Sequence, residues 1–220
     1  LESDDERPAG PHALAIAGDV LLANERAAFI VAQPGGDQRT YYYYGGILVD
    51  AMTVETDGAG DCGQASAERF GELALLAGRL DATSFTSSTL RAFRGESVEI
   101  VNDGADGKAA VVRVHGVDDV FWLVEMELRR RAWEGGTKKP PTPPLGITFD
   151  VDYVLAPGSS VLEVLPRFTN TTSAAQTLLA GGSLFIGDTT PYADHPHFPE
   201  RLALGGFGVG SGRWGHERRE

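Results

Sequence analysis

Apolar and polar residues alternate most regularly along residues 147–155. The apolar side of this alternation carries Ile147, Phe149, Val151, Tyr153 and Leu155, and the other side carries Thr148, Asp150 and Asp152. Successive side chains of a strand point to opposite faces, so the segment predicts a strand with one buried face. Residues 156–159 follow with Pro and Gly at the positions that suit a type II turn. A returning strand at 161–169 completes a predicted central hairpin.

Similar short apolar segments recur along the rest of the chain. They lie at 12–17, 20–23, 27–32, 41–44, 47–54, 84–93, 97–102, 109–115, 121–131, 176–180 and 183–187. Short strands separated by Gly, Asp, Asn and Pro are typical of sandwiches and barrels. Only residues 65–80 repeat apolar residues at helical spacing, and two glycines weaken that pattern, so the segment is predicted to be a short helix or an irregular crossover. We therefore predict an all-β fold, an antiparallel β-sandwich with at most one short helix.

The sequence divides into three parts. Residues 1–11 are polar and predict a disordered leader, and residues 12–188 carry the strand pattern of one β-sandwich domain. Within that domain, residues 134–144 are rich in proline, which cannot donate to a sheet ladder, and predict a surface loop. Residues 189–220 form a Pro- and Gly-rich tail, which we expect to lead into a further part of a longer parent chain.

Composition narrows the classes of function. With 220 residues, 42% hydrophobic and 23% charged, the chain is typical of a globular protein. Its net charge of −12 argues against a nucleic-acid partner, because phosphate binding depends on clustered Lys and Arg. No apolar run is long enough to predict a membrane span. Cys62 is the single cysteine, so no internal disulfide is expected, and its acidic surroundings disfavour a nucleophilic thiol.

Four stretches together resemble the N-terminal β-sandwich modules of large exported bacterial proteins. They are GDVLLANERAAFIV at 18–31, YGGILVDA at 44–51, VEIVNDG at 98–104 with AAVVRV at 109–114, and DYVLAPGS at 152–159 with FTNT at 168–171. Such modules are similar to the galactose-mutarotase-like supersandwich. The resemblance implies a supersandwich fold and an extracytoplasmic parent, which would be periplasmic, at the cell surface or secreted, for example as a lipoprotein.

The resembled modules precede carboxypeptidase-regulatory-like repeats or a metallohydrolase domain in some longer proteins. The shared motifs are strand and turn patterns, so they carry no catalytic residues with them. The Asp-His-x-His opening of the metallohydrolase is not recognised on a strand of this chain. The resemblance therefore implies a fold module and leaves its chemistry open.

One loop carries residues that could bind a metal ion, although the main expectation is that the chain binds no cofactor. Asp194, His195 and His197 provide two imidazoles and a carboxylate, a donor set that suits zinc. The competing interpretation is a solvated Pro-rich loop that binds nothing. Asp57 with Asp61, and Asp103 with Asp106, form partial calcium patterns, but polar hairpin tips are the favoured interpretation of both pairs. We expect no cofactor, with zinc or calcium as the alternative.

Sugar chemistry has two sets of candidate residues. Tyr41, Tyr43 and Trp122 offer aromatic rings for the flat faces of sugars, although packing within the sheet is the simpler interpretation. If the chain were an enzyme of the mutarotase-like class, His115 and Glu125 would be its catalytic acid–base pair. The alternation instead predicts that both are solvent-facing residues of the sheet.

These observations favour a non-catalytic accessory or interaction module of an exported bacterial protein. Its expected partner is a carbohydrate or another surface polymer, or the neighbouring domains of the same chain. The alternative is a carbohydrate-active enzyme of the aldose epimerase class. The chain lacks a Gly-x-Ser-x-Gly elbow, a phosphate-binding Gly-Lys loop and a His-Glu-x-x-His motif, which favours the module.

Overall fold

The computed structural model describes residues 1–2, 13–35, 44–54, 70–79, 90–121, 144–186 and 207–209. Within these ranges every regular element is a β-strand. The strands are β1 (Val20–Ala23), β2 (Ala27–Val31), β3 (Leu48–Thr53), β4 (Phe70–Arg79), β5 (Leu90–Asn102), β6 (Ala110–Val120), β7 (Ile147–Leu155), β8 (Leu162–Asn170), β9 (Leu178–Ile186) and β10 (Phe207–Val209). All of their pairings are antiparallel. The predicted all-β class is confirmed.

The described strands form one hydrogen-bonded network that branches at β4. Strands β1 to β8 pair in chain order, and the ladder of β4 with β9 adds a second path that ends at β10. β4 meets β3 at Leu73, β5 over residues 76–78, and β9 along its whole length. Because this network is a single branched sheet, the division into the two layers of a sandwich stays a prediction.

The helix predicted at 65–80 is wrong for its described part, since residues 70–79 form β4. Glu72, Ala74 and Leu76 are buried, whereas Leu73 and Leu75 between them are half-buried, which is the period of a strand. The helical spacing arose because β4 packs apolar residues on both of its faces. The long ladder with β9 supplies hydrogen bonds that outweigh the local preference, which two glycines had already lowered.

Some predicted strand limits also change. Residues 13–17 are not a strand, because the amides of Leu14 and Ala15 donate to the carboxylate of Asp50 instead of to a sheet ladder. The described part of the predicted strand 84–93 and the predicted strand 97–102 merge into β5, which continues through a bulge between Gly95 and Ser97. The segments 176–180 and 183–187 likewise merge into β9. Of the predicted strand 121–131, only Phe121 is described, and it lies outside the strands.

The larger hydrophobic core is built from buried residues of β1 to β7, with residues of β8 and β9 packed against it. Phe149, Val151 and Tyr153 of the predicted central hairpin are buried in it, and Leu162, Val164 and Phe168 pack against it from β8. The ring of Phe93 lies 4.4 Å from that of Phe149 and 5.1 Å from that of Phe168. The hairpin therefore contributes to the core as its alternation predicts.

A second core covers the opposite face of β2 and β3. Its buried residues include Ile30, Val49, Leu76 and Phe121, with Ala15 from the segment that precedes β1. Residues 27–31 of β2 and 48–50 of β3 are consequently buried or half-buried on both faces, and Asp50 is the one polar residue among them. Among the described residues, neither core covers the outer face of β5–β8, where charged side chains lie beside a few apolar ones.

Three buried aspartates join loops to this framework. Asp19 accepts hydrogen bonds from the amides of Ile16 and Gln33, and Asp50 accepts those of Leu14 and Ala15. Asp118 accepts the amides of Leu145 and Ile147 at 2.7 and 2.9 Å and also bonds the buried side chain of Arg91. A buried carboxylate is costly unless it is bonded in this way. These residues are structural, and the sequence pattern did not single them out.

Candidate functional site

The described residues place a cluster of charged side chains on the outer surface of β5–β8. The strand register aligns Glu99, Arg113 and Asp152 in one row and His115, Asp150 and Arg167 in the next. Their chain neighbours Val112, Val114 and Val151 are buried in the core, so the alternation of a strand turns the charged residues outward. We call these six residues the charged face.

A two-pronged ion pair lies at the centre of the charged face. Arg113 donates from Nε to Asp152 Oδ1 at 2.6 Å and from its terminal nitrogen to Oδ2 at 2.8 Å, and Arg167 donates to the same Oδ2 at 3.2 Å. The hydrogen bond from Arg113 lowers the pKa of Asp152 below its usual value. Planar pairs of this kind fix both side chains in one geometry. The pair thus gives the charged face an ordered centre.

His115 lies between two carboxylates beside this ion pair. Its Nδ1 is 2.5 Å from Asp150 Oδ1, and its Nε2 is 3.5 Å from Glu99 Oε2. A carboxylate oxygen accepts hydrogen bonds, so this contact is a hydrogen bond when Nδ1 of the ring carries the proton. The side chains of His115, Asp150 and Glu99 are 42%, 41% and 60% exposed, so water reaches all three.

Apolar residues border the charged face. Val111 and Val154 lie half-buried in the row next to Arg113 and Asp152, and Val117 is half-buried beyond His115. Leu165 of β8 pairs with Asp152 and is 49% exposed. The surface therefore offers both hydrogen-bonding groups and apolar contacts within the reach of one extended ligand.

The structure does not assemble a metal centre from the residues it describes. In those ranges no group of three or more His, Cys, Asp or Glu side chains is placed to hold an ion. The carboxylates of Glu99 and Asp150 approach opposite nitrogens of the His115 ring, so the three cannot ligate one ion together. The loop with Asp194, His195 and His197, and the pair Asp57 and Asp61, lie outside the described residues.

The other calcium candidate is part of a closed turn between β5 and β6. The carboxylate of Asp106 accepts hydrogen bonds from the amide and the ammonium group of Lys108. The carboxylate of Asp103 accepts the amide of Ala105. These bonds account for both residues as turn formers, which agrees with the interpretation as a polar hairpin tip.

Of the predicted sugar-chemistry residues, only His115 is described. Tyr41, Tyr43, Trp122 and Glu125 lie outside the described residues, as does Cys62. The carboxylates that the structure brings to His115 are Glu99 and Asp150, which sequence reasoning did not select. The signal that could have found Asp150 was its place on the polar side of β7, and for Glu99 it was the same side of β5.

Comparisons with protein-family models, with curated proteins and with solved structures return no match to the chain. The supersandwich resemblance, the exported parent and any function derived from them therefore stay predictions. In the part of the chain that the structure describes, no helix is long and apolar enough to cross a membrane.

Proposed function

We propose that the chain is a non-catalytic binding module of an exported bacterial protein and that its charged face binds a hydroxyl-rich polymer, such as a polysaccharide. The observation that carries the proposal is the ordered pair of rows on β5–β8. There, carboxylates that accept hydrogen bonds alternate with guanidinium groups that donate them. Neighbouring hydroxyls of a sugar need both kinds of group at close spacing, and the apolar border suits the C–H faces of sugar rings.

The exposure of His115 and Asp150 favours binding over catalysis. A catalytic acid or base is normally held where water is excluded, because the surrounding protein then controls its proton affinity. His115 and Asp150 are each about two-fifths exposed and lie on an open strand surface. An extended polymer can lie across such a surface without being enclosed. The exported parent follows from the resemblance alone and belongs to the same proposal.

Affinity electrophoresis through gels that contain starch, xylan or alginate tests the binding proposal. We expect at least one polysaccharide to retard the chain, and D150A and R167A to weaken that retardation by about tenfold. Asp106→Ala is the matched control, because it removes an exposed aspartate from the β5–β6 turn, away from the charged face. No retardation by any of these polysaccharides, or equal retardation of all variants, would contradict the proposal.

A second candidate is a sugar enzyme of the aldose epimerase class, and the surroundings of His115 favour it. With Asp150 at Nδ1, the Nε2 atom of His115 is free to exchange a proton with a substrate, and Glu99 lies 3.5 Å from it. Polarimetry of the mutarotation of common aldoses separates the candidates. The binding module gives the rate of buffer alone, whereas an enzyme gives a faster rate that His115→Ala abolishes.

A further inference from the structure

Strand β8 forms an edge of the described sheet. In the part of the chain that the structure describes, β8 pairs with β7 alone. Both of its faces carry incompletely buried apolar residues: Leu165 is 49% exposed on the outer face, and Leu162, Val164 and Phe168 are only half-buried on the core side. An open edge with apolar residues on both faces can accept a further strand.

The backbone groups that face the open edge can be identified. The amide of Thr171 donates to the carbonyl oxygen of Gly146 at 2.8 Å, in register with the β7–β8 ladder. Hydrogen bonds of an antiparallel pair involve every second residue, so the odd-numbered residues of β8 bond to β7 and the even-numbered residues face outward. Pro166 is even-numbered and faces away from β7. Its missing N–H therefore removes no hydrogen bond from the β7–β8 ladder.

The side chains of β8 are complementary to a second copy of the same strand. Glu163, Leu165 and Arg167 share the outer face, with Leu165 midway between two opposite charges. If two β8 strands pair antiparallel about Leu165, Glu163 of each lies opposite Arg167 of the other, and the two Leu165 side chains meet. Opposite charges directly across a strand pair are stabilising. In the described residues Glu163 takes part in no ion pair, so it is available for this contact.

The same register satisfies the outward backbone groups. Pairing about Leu165 sets even-numbered residues opposite even-numbered residues, as the outward-facing groups require. Pro166 then lies opposite Val164 of the second copy, so one donor is missing from each strand and the other bonds remain. A register centred on Pro166 instead of Leu165 would set the two prolines opposite each other. The charge pairing and the backbone hydrogen bonds therefore both favour the register centred on Leu165.

We propose that the chain forms a symmetric dimer by antiparallel pairing of β8 with β8 of a second copy, centred on Leu165. The contact is the same patch on both subunits and uses the edge of β8 that pairs with no other described strand, so it closes after two copies. It extends the β5–β8 sheet across the dimer and covers the half-buried Leu162, Val164 and Phe168. Arg167, which also donates to Asp152 of its own subunit, belongs to both the dimer contact and the charged face, so polymer binding is scored on Asp150 instead.

Sedimentation velocity of the full chain over a wide range of concentration tests the dimer. We expect the wild type to dimerise, and E163R and R167E each to raise the dissociation constant about tenfold or more, since each variant sets like charges opposite one another. E163R alters an exposed side chain, so it keeps the test valid if R167E fails to fold. Glu96→Arg is the matched control, because Glu96 lies on β5 and two strands separate it from β8.

Mixing the two variants provides the decisive measurement. E163R pairs with R167E through two opposite-charge contacts, so native mass spectrometry of the mixture should show a heterodimer that neither variant forms with itself. A wild type that stays monomeric to millimolar concentration would overturn the proposal, as would a dimer that both variants retain. Polysaccharide retardation is scored separately on D150A, so a failure of the proposed function leaves the dimer result intact, and the reverse also holds.

Discussion

The phenolic hydroxyl of Tyr153 donates a hydrogen bond at 3.0 Å to the carbonyl oxygen of Gly46, a residue 107 positions earlier in the chain. The Tyr153 side chain is fully buried, and burial raises the pKa of this hydroxyl above its usual value. Gly46 has a φ of +83°, and a β-carbon at this position would lie 2.6 Å from Val114 Cγ1. The contact therefore fixes the turn before β3 against β6 and β7.

Tyr153→Phe should lower the free energy of unfolding by about 1–3 kcal/mol, because it leaves the buried carbonyl oxygen of Gly46 without its donor. The loss is measured by urea denaturation at neutral pH. Tyr44→Phe is the control, since its hydroxyl donates to Val120 at a site that is only partly buried, and its loss should be smaller. Equal losses of unfolding free energy in the two variants would show that burial does not make the Tyr153–Gly46 hydrogen bond more stabilising than the Tyr44–Val120 bond.

Asp118→Ala should be among the most destabilising single substitutions. It removes the carboxylate that accepts from Nε of Arg91, a side chain only 2% exposed, and it removes the acceptor of the Leu145 and Ile147 amides. Removal of one partner from a buried ion pair costs about 3–5 kcal/mol. Thermal and urea denaturation measure the loss.

The neighbouring residue offers a matched control. Asp119 also forms an ion pair with an arginine, Arg94, but both side chains are partly exposed. Asp119→Ala should therefore cost about 1 kcal/mol or less. A loss below about 1 kcal/mol in Asp118→Ala as well would mean that water reaches the Arg91–Asp118 pair.

The strand limits of the central hairpin were predictable, and the partner of β4 was not. Residues 147–155 form β7 with the predicted bounds, because one face of that strand packs on the core and the other faces outward. β4 lacks this contrast, and its main partner β9 lies about a hundred residues away, beyond the range of any local pattern. The local pattern at 65–80 therefore indicated apolar residues but did not indicate whether a helix or a strand buries them.

The candidate site was predictable only through His115. Its neighbours Glu99 and Asp150 come from two other strands, and only the register of β5, β6 and β7 brings them together. The sequence directed attention to Glu125, which is closer along the chain but lies outside the described residues. The roles of Asp19, Asp50 and Asp118 were missed for a similar reason, since an aspartate in a loop-rich sequence is usually exposed.

Gly116→Ala should destabilise the chain by about 1–3 kcal/mol or more, purely through steric overlap. A β-carbon on Gly116 would overlap the carbonyl oxygen of Arg94 and the ring of Phe149, and both belong to the packed interior of the sheet. Calorimetric melting gives the loss.

Gly107→Ala is the control for Gly116→Ala, because it measures the cost of a positive φ without steric overlap, whereas Gly116→Ala measures steric overlap alone. Gly107 has a φ of +75° and open space around its α-carbon, so its substitution costs only backbone strain, about 1–2 kcal/mol. Near-native stability of Gly116→Ala would show that β5 and β7 shift apart readily.

The stability of the chain should depend on pH through Asp152. The pKa of its carboxyl group is lowered by the hydrogen bond from Arg113 and by the charges of Arg113 and Arg167. A lowered pKa in the folded state means that this contribution is present above the unfolded-state pKa of about 3.9 and is lost as pH falls through the folded-state pKa.

Asp152→Asn should therefore weaken the chain at pH 7 and make little difference in strong acid, when denaturant midpoints are compared at both values. Asp106→Asn is the control. The pKa of Asp106 is also lowered, chiefly by its hydrogen bond to Lys108, but the residue is exposed and water screens the interaction. If Asp152→Asn loses the same stability relative to the wild type at both pH values, Asp152 is not the source of the pH dependence.

The branch at β4 also orders the steps by which the chain folds. Hairpins such as β5–β6 and β7–β8 join strands that are adjacent in sequence and close short loops, whereas the β4–β9 ladder closes a loop that contains all four of those strands. Ladders between distant segments form slowly. During synthesis, one side of β4 therefore stays bare until residues 178–186 have left the ribosome. An unpaired strand edge is a template for wrong partners, so this interval is the stage at which a chaperone would protect the nascent chain.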